Sequence, residues 1–309
     1  MIIIVNLQCG GKRGDARFNK RLPFLREKFA PFEVWKLDTI GNLPNFLRAA
    51  YEKGENCFAI AGGDGTANIL LNAILSTFFE KDLKNIKLGF IGIGSSNDLH
   101  KPKNSQTPSI KMDFQTAALR DILCLEYEQD GQINRKYALL NMSMGITAKA
   151  NSSFNNPGLI LRILKRISSP LAILYAAIST ILTYKNMPIE INVKQKTLLV
   201  NLSNLGVIKS PYFAGNFHYD TPLQLNDGRY YLHICHDMNF IKILKLLKTL
   251  SKGKFAGTKN AFSYDLLEHD KIIISSKIPF CVEFDGEIIE RIFSITCSLK
   301  SKYIYCCER

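Results

Sequence analysis

The sequence predicts two domains of different class, an α/β domain with a parallel sheet followed by a mostly antiparallel β domain. Up to about residue 111, short apolar runs alternate with amphipathic stretches, which favours a parallel sheet covered on both faces. After about residue 114, runs with strand-like alternation dominate. The length of 309 residues is sufficient for two domains that each bury a core.

The elements of the α/β domain follow from local pattern. Strands are expected at residues 2–5, 33–37, 57–61 and 88–91, because each is a short run typical of a buried strand. Helices are expected at residues 43–53 and 67–79, where apolar residues recur at helical spacing. The strand, helix, strand order predicts a crossover fold for this part of the chain.

The second domain is predicted to be β-rich and interrupted by helices. Its expected strands are at residues 124–128, 137–143, 189–193, 198–202, 230–235, 271–275 and 280–284. Residues 167–184 form an uncharged apolar stretch, but Pro170 and several hydroxyl side chains favour a packed amphipathic helix over a membrane span.

Composition and charge limit the classes of function. Hydrophobic residues make up 46% and charged residues 22% of the chain, which excludes a disordered, collagen-like or coiled-coil protein. Lys and Arg total 40 against 27 Asp and Glu, a net charge of +13 that favours anionic partners: phosphate-bearing substrates, nucleic acid or an anionic membrane. The scattered cysteines and the absence of a signal-peptide pattern indicate the reducing cytoplasm, and no zinc site is expected.

The strongest motif is a glycine-rich turn between a strand and a helix. Residues 57–61 are followed by Gly62-Gly63-Asp64-Gly65-Thr66-Ala67-Asn68. Such a turn lets backbone N–H groups approach phosphate oxygens, and the helix N-terminus adds positive partial charge. Asp64 is then placed to hold a metal or to organise a polar network. The alternative is a tight turn with a structural role only.

A second glycine-rich turn follows the next strand of the predicted sheet. After residues 88–91 come Gly92-Ile93-Gly94-Ser95-Ser96-Asn97-Asp98. Because the carboxyl ends of parallel strands lie at one edge of a sheet, both turns would border one crevice, where phosphate ligands bind in open sheets. The alternative is that Asn97 and Asp98 only cap the next helix.

Taken together, these motifs resemble the diacylglycerol kinase catalytic-domain family, lipid kinases related to sphingosine and ceramide kinases. The family's NPxxG opening is matched loosely at residues 6–10, its GGDGTxNE motif at 62–68 and its PxGTxND motif at 92–98. Later matches are Asp113, Asn141 with Gly145, Asp227-Gly228 after Pro222, and a (V/I)DGE box at residues 284–287. The resemblance covers nearly the whole chain.

The resemblance implies an N-terminal three-layer α/β nucleotide-binding domain, of the NAD kinase and diacylglycerol kinase type, and a C-terminal β-sandwich domain that helps to form the lipid site. The expected bounds are residues 1–113 and 114–297, with about 298–309 returning to the first domain.

The family also implies ATP and Mg²⁺ as cofactors. The residues that would bind them are Asn6, Gln8, Gly10, Thr39, Gly62, Gly63, Asp64, Gly65, Thr66, Asn68, Ser95, Asn97, Asp98 and Asp113. Of these, Asp64, Asp98 and Asp113 would form a carboxylate network around Mg²⁺ and the phosphates. A structural Mg²⁺ would be held by Asp227 and the backbone carbonyls of Gln224 and Arg229.

Asp285 and Glu287 resemble the family's catalytic pair. One carboxylate would accept the proton of the substrate hydroxyl, and the other would orient it. The structural alternative is an Asp-Gly hairpin turn between two strands, which is compatible with the catalytic role.

The predicted function is therefore transfer of the γ-phosphate of ATP to the hydroxyl of a diacylglycerol-like lipid. Ile69 departs from the family pattern because it replaces a Glu after Asn68, so a catalytically weak basic relative that binds membrane or nucleic acid is an alternative. Another is an NAD kinase, which shares the GGDGT turn but has an Asn-Glu pair where Asn141 is followed here by Met142.

Two stretches bear on membrane binding. Lysines recur every three or four residues between 240 and 254 with Ile and Leu between them, and basic residues precede 167–184 in a segment without acidic residues from Asn151 to Met187. Both are typical of helices attracted to anionic lipid, although a core-packed helix with solvated lysines is an equal alternative for 240–254. We expect a lipid substrate, peripheral binding to an anionic membrane from the cytoplasm and no nucleic-acid partner. The oligomeric state is left open, a homodimer included.

Overall fold

The computed structural model describes residues 1–9, 13–37, 40–102, 109–215, 217–255 and 257–308. The chain divides into two units. Unit 1 is Met1–Asp121 with Lys302–Arg309, and unit 2 is Ile122–Ser301.

Unit 1 is built on a parallel sheet with helices on both faces. Its strands are β1 (Ile2–Asn6), β2 (Glu33–Leu37), β3 (Cys57–Gly62), β4 (Lys87–Gly92) and β5 (Ile110–Lys111). Its helices are α1 (Gly14–Phe29), α2 (Leu43–Glu52), α3 (Asp64–Thr77) and α4 (Glu80–Leu83). The parallel order is β2-β1-β3-β4, and β5 pairs antiparallel with β4.

The two faces of this sheet follow from the alternation of side chains along each strand. On one face, Ile3 and Val5 pack with Phe18 of α1. The alternate residues Ile2 and Ile4 are buried on the other face, where α3 contacts β3. The predicted three-layer α/β architecture is confirmed.

Unit 2 holds most of the remaining elements. The further strands are β6 (Ala118–Gln129), β7 (Gln132–Ala138), β8 (Asn141–Gly145), β9 (Met187–Val193), β10 (Lys196–Ile208), β11 (Tyr212–Phe213), β12 (Phe217–His218), β13 (Arg229–His236), β14 (Ala261–Leu267), β15 (Lys271–Phe284) and β16 (Glu287–Cys306). The helices are α5 (Ile146–Asn155), α6 (Leu159–Ile167), α7 (Ser169–Thr183) and α8 (Phe240–Leu250). Strand β16 starts in unit 2 and ends in unit 1, where Tyr305 and Cys306 pair in parallel with β4.

The β-sandwich of unit 2 is made by long strands that change sheets. The first halves of β10 and β15 pair with β9, and their second halves pair with β8. The change coincides with register irregularities, between Leu202 and Asn204 in β10 and between Ser275 and Phe280 in β15. Such bends let one strand form a corner between two packed sheets. The C-terminal β-sandwich is confirmed, and a cluster of buried apolar side chains forms its core.

Some predicted elements have different bounds. The expected strand at 137–143 is two strands, β7 and β8, because the N–H groups of Leu139 and Leu140 leave the ladder and donate to the carboxylate of Asp285. The expected strands at 271–275 and 280–284 are one strand, β15. Residues 167–184 largely form α7, and no helix of the described chain is long and apolar enough to cross a membrane.

Candidate functional site

Three turns of unit 1 meet at the carboxyl edge of its parallel sheet. They follow β1, β3 and β4, which run side by side in register. The side-chain amide of Asn6, at the end of β1, donates to the hydroxyl oxygen of Thr66 at 2.9 Å. This bond ties the first turn to the start of α3.

The two glycine-rich turns contact each other through their backbones. A Cβ atom on Gly94 would lie 2.3 Å from the Cα of Gly63, and one on Gly62 would lie 2.3 Å from the Cβ of Thr66. The N–H groups of Ile93 and Gly94 donate to the carbonyl of Gly62 at 2.9 and 3.1 Å. Gly62 and Gly94 are therefore required by packing, so the structural interpretation of the turns holds whether or not they bind phosphate.

Asp64 bridges the two turns. Its carboxylate accepts the backbone N–H of Asp98 at 2.9 Å and that of Leu99 at 3.0 Å. Asn97 adopts a left-handed backbone with φ of 51°, which Asn tolerates, and its side-chain oxygen accepts the N–H of Gly94 at 3.0 Å. The carboxylate of Asp64 thus fixes the relative position of both turns.

The edge of the sheet offers backbone donors and oxygen ligands together. Helix α3 begins at Asp64 after Gly63 in an extended conformation, and the positive end of a helix favours anions. Asp98, which is buried, accepts the ammonium of Lys101 at 2.6 Å. Carboxylate oxygens of this kind suit Mg²⁺.

His100 lines the same depression as Gly63, Asp64 and Asn97. Its imidazole is largely shielded, and burial, with the charges of Lys111 and Arg21, lowers its pKa to about 3. The ring is therefore neutral at neutral pH.

Other predicted ligands of unit 1 take varied positions. Asn68 is buried and its side-chain oxygen accepts the amide of Asn72 at 2.9 Å, whereas Gln8 and Ser95 are exposed. Gly65 lies in the first turn of α3 and is half-buried. Two further predicted ligands, Gly10 and Thr39, lie outside the described residues.

Asp113 does not join Asp64 and Asp98. The antiparallel register pairs Ile110 with Ile91 and Lys111 with Phe90, so the chain then runs back toward the start of β4. At about 3.3 Å per residue, this places Asp113 at the opposite end of β4 from the second glycine turn. There its carboxylate accepts the N–H of Gln115 at 3.1 Å. The prediction that Asp113 joins Asp64 and Asp98 in one carboxylate network is wrong, because the direction of β5 separates Asp113 from the other two.

In unit 2, Asp285 is an anchor for a neighbouring segment. One carboxylate oxygen accepts the N–H of Leu139 at 2.5 Å, and the other accepts those of Leu140 and Asn141 at 3.0 and 3.1 Å. The side chain is only 6% exposed. Backbone donors of this kind stabilise the ionised carboxylate. The predicted Asp-Gly hairpin turn is present as well, since Asp285 and Gly286 both have positive φ and join β15 to β16.

Glu287 follows this turn and is half-buried. Burial raises its pKa, the charge of Asp285 adds to the effect, and the charge of Lys136 opposes it. A carboxylate with a raised pKa is a better proton acceptor than one held by backbone N–H groups. Of the predicted pair, Glu287 is therefore the better candidate base.

Glu283 supports the turn from the other side, and sequence reasoning missed it. Its carboxylate accepts the N–H of Gly286 at 2.7 Å and the hydroxyl of Ser143 at 2.5 Å. The signal that could have found it is a charged residue two positions before Asp285 in an otherwise apolar strand end.

The predicted structural metal site has a different occupant. The oxygens of Gln224, Asp227 and Arg229 do converge, but each accepts the ammonium of Lys209, at 2.7, 2.7 and 2.9 Å. Burial raises the pKa of Asp227, yet these bonds and those from the turn's backbone outweigh it, so the pKa is lower than usual. The residues present do not fit a bound Mg²⁺, because a cation already lies among the ligands. The missed signal was a lone lysine directly after the apolar end of β10.

Comparison with known families agrees with this geometry. Residues 1–123 match the family model described as the diacylglycerol kinase catalytic domain. The N-terminal part of the chain is thus similar to the diacylglycerol kinase catalytic domain. The family resemblance found in the sequence is thereby confirmed, and the turns described above lie within the matched diacylglycerol kinase segment.

Relatives and solved structures extend the likeness beyond this domain. A Staphylococcus aureus (strain Mu3) protein named "Putative lipid kinase" is 23% identical and aligns over 77% of this chain and 72% of its own. Two Bacillus anthracis (strain Sterne) structures, titled as a putative diacylglycerol kinase and as a diacylglycerol kinase, share the fold, with TM-scores of 0.71 and 0.67 at 16% and 14% identity. Both alignments cover 100% of this chain and 96% of the other. The whole chain thus has the fold of those proteins.

Proposed function

We propose that this protein is a lipid kinase that transfers the γ-phosphoryl group of ATP to the hydroxyl of a diacylglycerol-like lipid. The observation that carries the proposal is Asp64, whose carboxylate joins two glycine turns at the N-terminus of α3 inside the matched diacylglycerol kinase domain. The names of the relatives support a lipid kinase in general. ATP and the diacylglycerol-like acceptor are the finer part of the proposal.

In this proposal, unit 1 receives the nucleotide phosphates. The turns after β3 and β4 present backbone N–H groups, and α3 adds its positive end. Mg²⁺ would bind the carboxylate of Asp64 and would have to displace the Lys101 ammonium from that of Asp98. When bound, it would offset the negative charge of the phosphates. Asn6 and Asn97 keep the turns in place through their side-chain bonds.

Glu287 is the proposed proton acceptor. An alcohol attacks a phosphoryl group well only if its proton has a nearby acceptor, and the raised pKa of Glu287 suits that role. Asp285 is assigned a positioning role, because its oxygens are engaged by the 139–141 backbone. The two residues of the predicted catalytic pair therefore have separate tasks.

A lipid acceptor requires access to a membrane, and we propose α6 and α7 as the membrane-binding face. Residues Leu171, Leu174, Ile178 and Leu182 follow helical spacing along α7 and are 51%, 55%, 43% and 64% exposed. The preceding α6 adds exposed Leu159, Ile160, Ile163 and Ile167. No acidic residue occurs between Asn151 and Met187, and Arg162 and Lys185 are exposed, so the face complements anionic lipid.

The other candidate segment differs. In α8, Ile243 and Leu250 are buried, and Leu246 and Leu247 pack on the core. Lys245 and Lys248 are exposed. Part of the apolar surface of α8 is thus used inside unit 2, while Phe240, Ile241 and Leu244 are exposed. Helix α7 exposes the larger set of apolar side chains and is the stronger candidate for insertion.

The proposed function is tested by phosphate transfer from γ-labelled ATP with Mg²⁺ to diacylglycerol, monoacylglycerol, phosphatidylglycerol, ceramide, sphingosine and NAD. Label on a lipid, lost in Asp64→Ala, is the expected result. Label on NAD alone would assign the protein to the NAD kinases instead. No label on any acceptor, from a protein that still binds ATP, would contradict the proposal and favour a binding protein that lacks turnover.

A further inference from the structure

The ammonium of Lys209 lies at the centre of the Asp227 turn. It donates to the backbone carbonyls of Gln224 and Arg229 at 2.7 and 2.9 Å and to the carboxylate of Asp227 at 2.7 Å. The Lys209 side chain has no solvent exposure, whereas that of Asp227 is 18% exposed. A buried charge of this kind persists only when it is paired and hydrogen-bonded.

We propose that Lys209 is the resident cation of this turn and takes the place that the family resemblance assigns to a structural Mg²⁺. An ammonium has three donors, which match the three oxygens in number. Magnesium requires a near-octahedral set of oxygens at about 2.0–2.1 Å, closer than these oxygens lie to the nitrogen. A divalent cation would have to expel the buried ammonium from its ligands. The turn is therefore closed by a covalently attached cation, and it does not depend on metal.

The same lysine is connected to the Asp285 segment. The backbone N–H groups of Lys209 and Ser210 both donate to the side-chain oxygen of Asn141 at 3.0 Å. The N–H of Asn141 in turn donates to Asp285 at 3.1 Å. The Lys209 side chain thus fixes the strand end whose backbone N–H groups hold the side chain of Asn141. The claim about the cation stands without the proposed kinase activity.

The test is the thermal unfolding midpoint of the full-length, nucleotide-free protein, measured in excess EDTA and in millimolar MgCl₂. Any rise of the wild-type midpoint in MgCl₂ is expected to persist in Asp227→Asn, because no Mg²⁺ binds at the Asp227 turn. Lys209→Met, which keeps the apolar stem and removes the charge, is expected to lower the midpoint by about 5–10 °C in EDTA. The matched control is Lys196→Met, an exposed lysine on the same strand, which is expected to leave the midpoint unchanged.

Two results would overturn the inference. One is a wild-type midpoint that rises with Mg²⁺, together with a rise that is absent in Asp227→Asn and present in Asp64→Asn. The metal would then bind at the Asp227 turn. The other is a Lys209→Met midpoint equal to that of Lys196→Met. If Lys209→Met does not fold, Mn²⁺ binding to the wild-type protein and to Asp227→Asn tests the inference instead. Binding that is lost in Asp227→Asn would contradict a resident ammonium at this turn. A failure of kinase activity would leave all of these readouts intact.

Discussion

Asp64 in unit 1 is predicted to hold a metal or to organise a polar network, and Asp285 in unit 2 to accept or orient a proton. In the structure, both carboxylates anchor a backbone segment. Asp64 accepts two N–H groups from the second glycine turn, and Asp285 accepts three from the segment after β7. Their surroundings differ: Asp64 stands at the positive end of α3, whereas Asp285 precedes Glu287, whose pKa is raised. The comparison teaches that an aspartate in a motif can fix a loop by accepting hydrogen bonds from its backbone N–H groups.

The largest expected effect is on the free energy of unfolding, which should fall more when Asp285 is replaced than when Asp64 is replaced. Asp285→Asn should lower the free energy of unfolding by about 3–5 kcal/mol, because an amide leaves buried N–H donors without an anionic acceptor. Asp64→Asn turns one of the two accepting oxygens into a donor at a less buried position, so a loss of about 1–3 kcal/mol is expected. Urea denaturation of both variants checks the order. Equal and small losses would show that neither carboxylate is an anchor.

The next largest effect is expected from a substitution that disrupts the close contact between the two glycine-rich turns. Gly94→Ala would force a Cβ to within 2.3 Å of the Gly63 backbone, so a loss of about 1–3 kcal/mol in unfolding free energy and weaker nucleotide binding are expected. Gly41→Ala is the matched control in unit 1, because its Cβ would meet nothing within 4 Å. Calorimetry of ATP binding and urea unfolding measure both consequences. A Gly94→Ala protein that behaves like Gly41→Ala would disprove the close packing of the turns.

The pH dependence of kcat and of stability should report the proton of Glu287, the candidate base. Because the pKa of Glu287 is raised, kcat should rise with pH through a value above the ordinary glutamate pKa of about 4.3, as the base loses its proton. The folded state also holds this proton more tightly than the unfolded chain. The contribution of Glu287 to stability is therefore full below about pH 4.3 and is lost as the pH rises through the raised pKa.

Glu287→Gln should remove this limb from the pH profiles of both kcat and unfolding free energy. The matched control is Glu290→Gln, an exposed glutamate on the same strand, whose profiles should follow the wild-type protein. A limb that persists in Glu287→Gln would assign the titration to another group.

The smallest expected effect compares the two amphipathic helices of unit 2. Replacing Leu174, Ile178 and Leu182 of α7 with Ser should weaken binding to phosphatidylglycerol vesicles by about tenfold. Changing Lys242, Lys245 and Lys248 of α8 to Gln should have a smaller effect that disappears at high salt. Vesicle sedimentation measures both. A greater loss with the lysine variant would move the membrane-binding face to α8.

The sequence predicted what depends on local pattern. The strand-turn-helix at Gly62 and the Asp-Gly hairpin at Asp285 are both present, since a strand followed by glycine and a helix pattern restricts the backbone locally. What it could not predict depends on long-range register. The position of Asp113 follows from the antiparallel pairing of β5, and the ammonium at Asp227 comes from a lysine 18 residues earlier in the chain. Neither partner is marked by the spacing of the motifs.

The division of roles between anchor and base is tested most directly by measuring kcat for lipid phosphorylation and unfolding free energy on the same preparations of Glu287→Gln and Asp285→Asn. We predict that Glu287→Gln is at least as stable as the wild-type protein and loses at least about 100-fold in kcat. We predict that Asp285→Asn loses stability first, with kcat falling in proportion to the folded fraction and to the misplaced turn. A stable Asp285→Asn without activity, beside a fully active Glu287→Gln, would contradict the account.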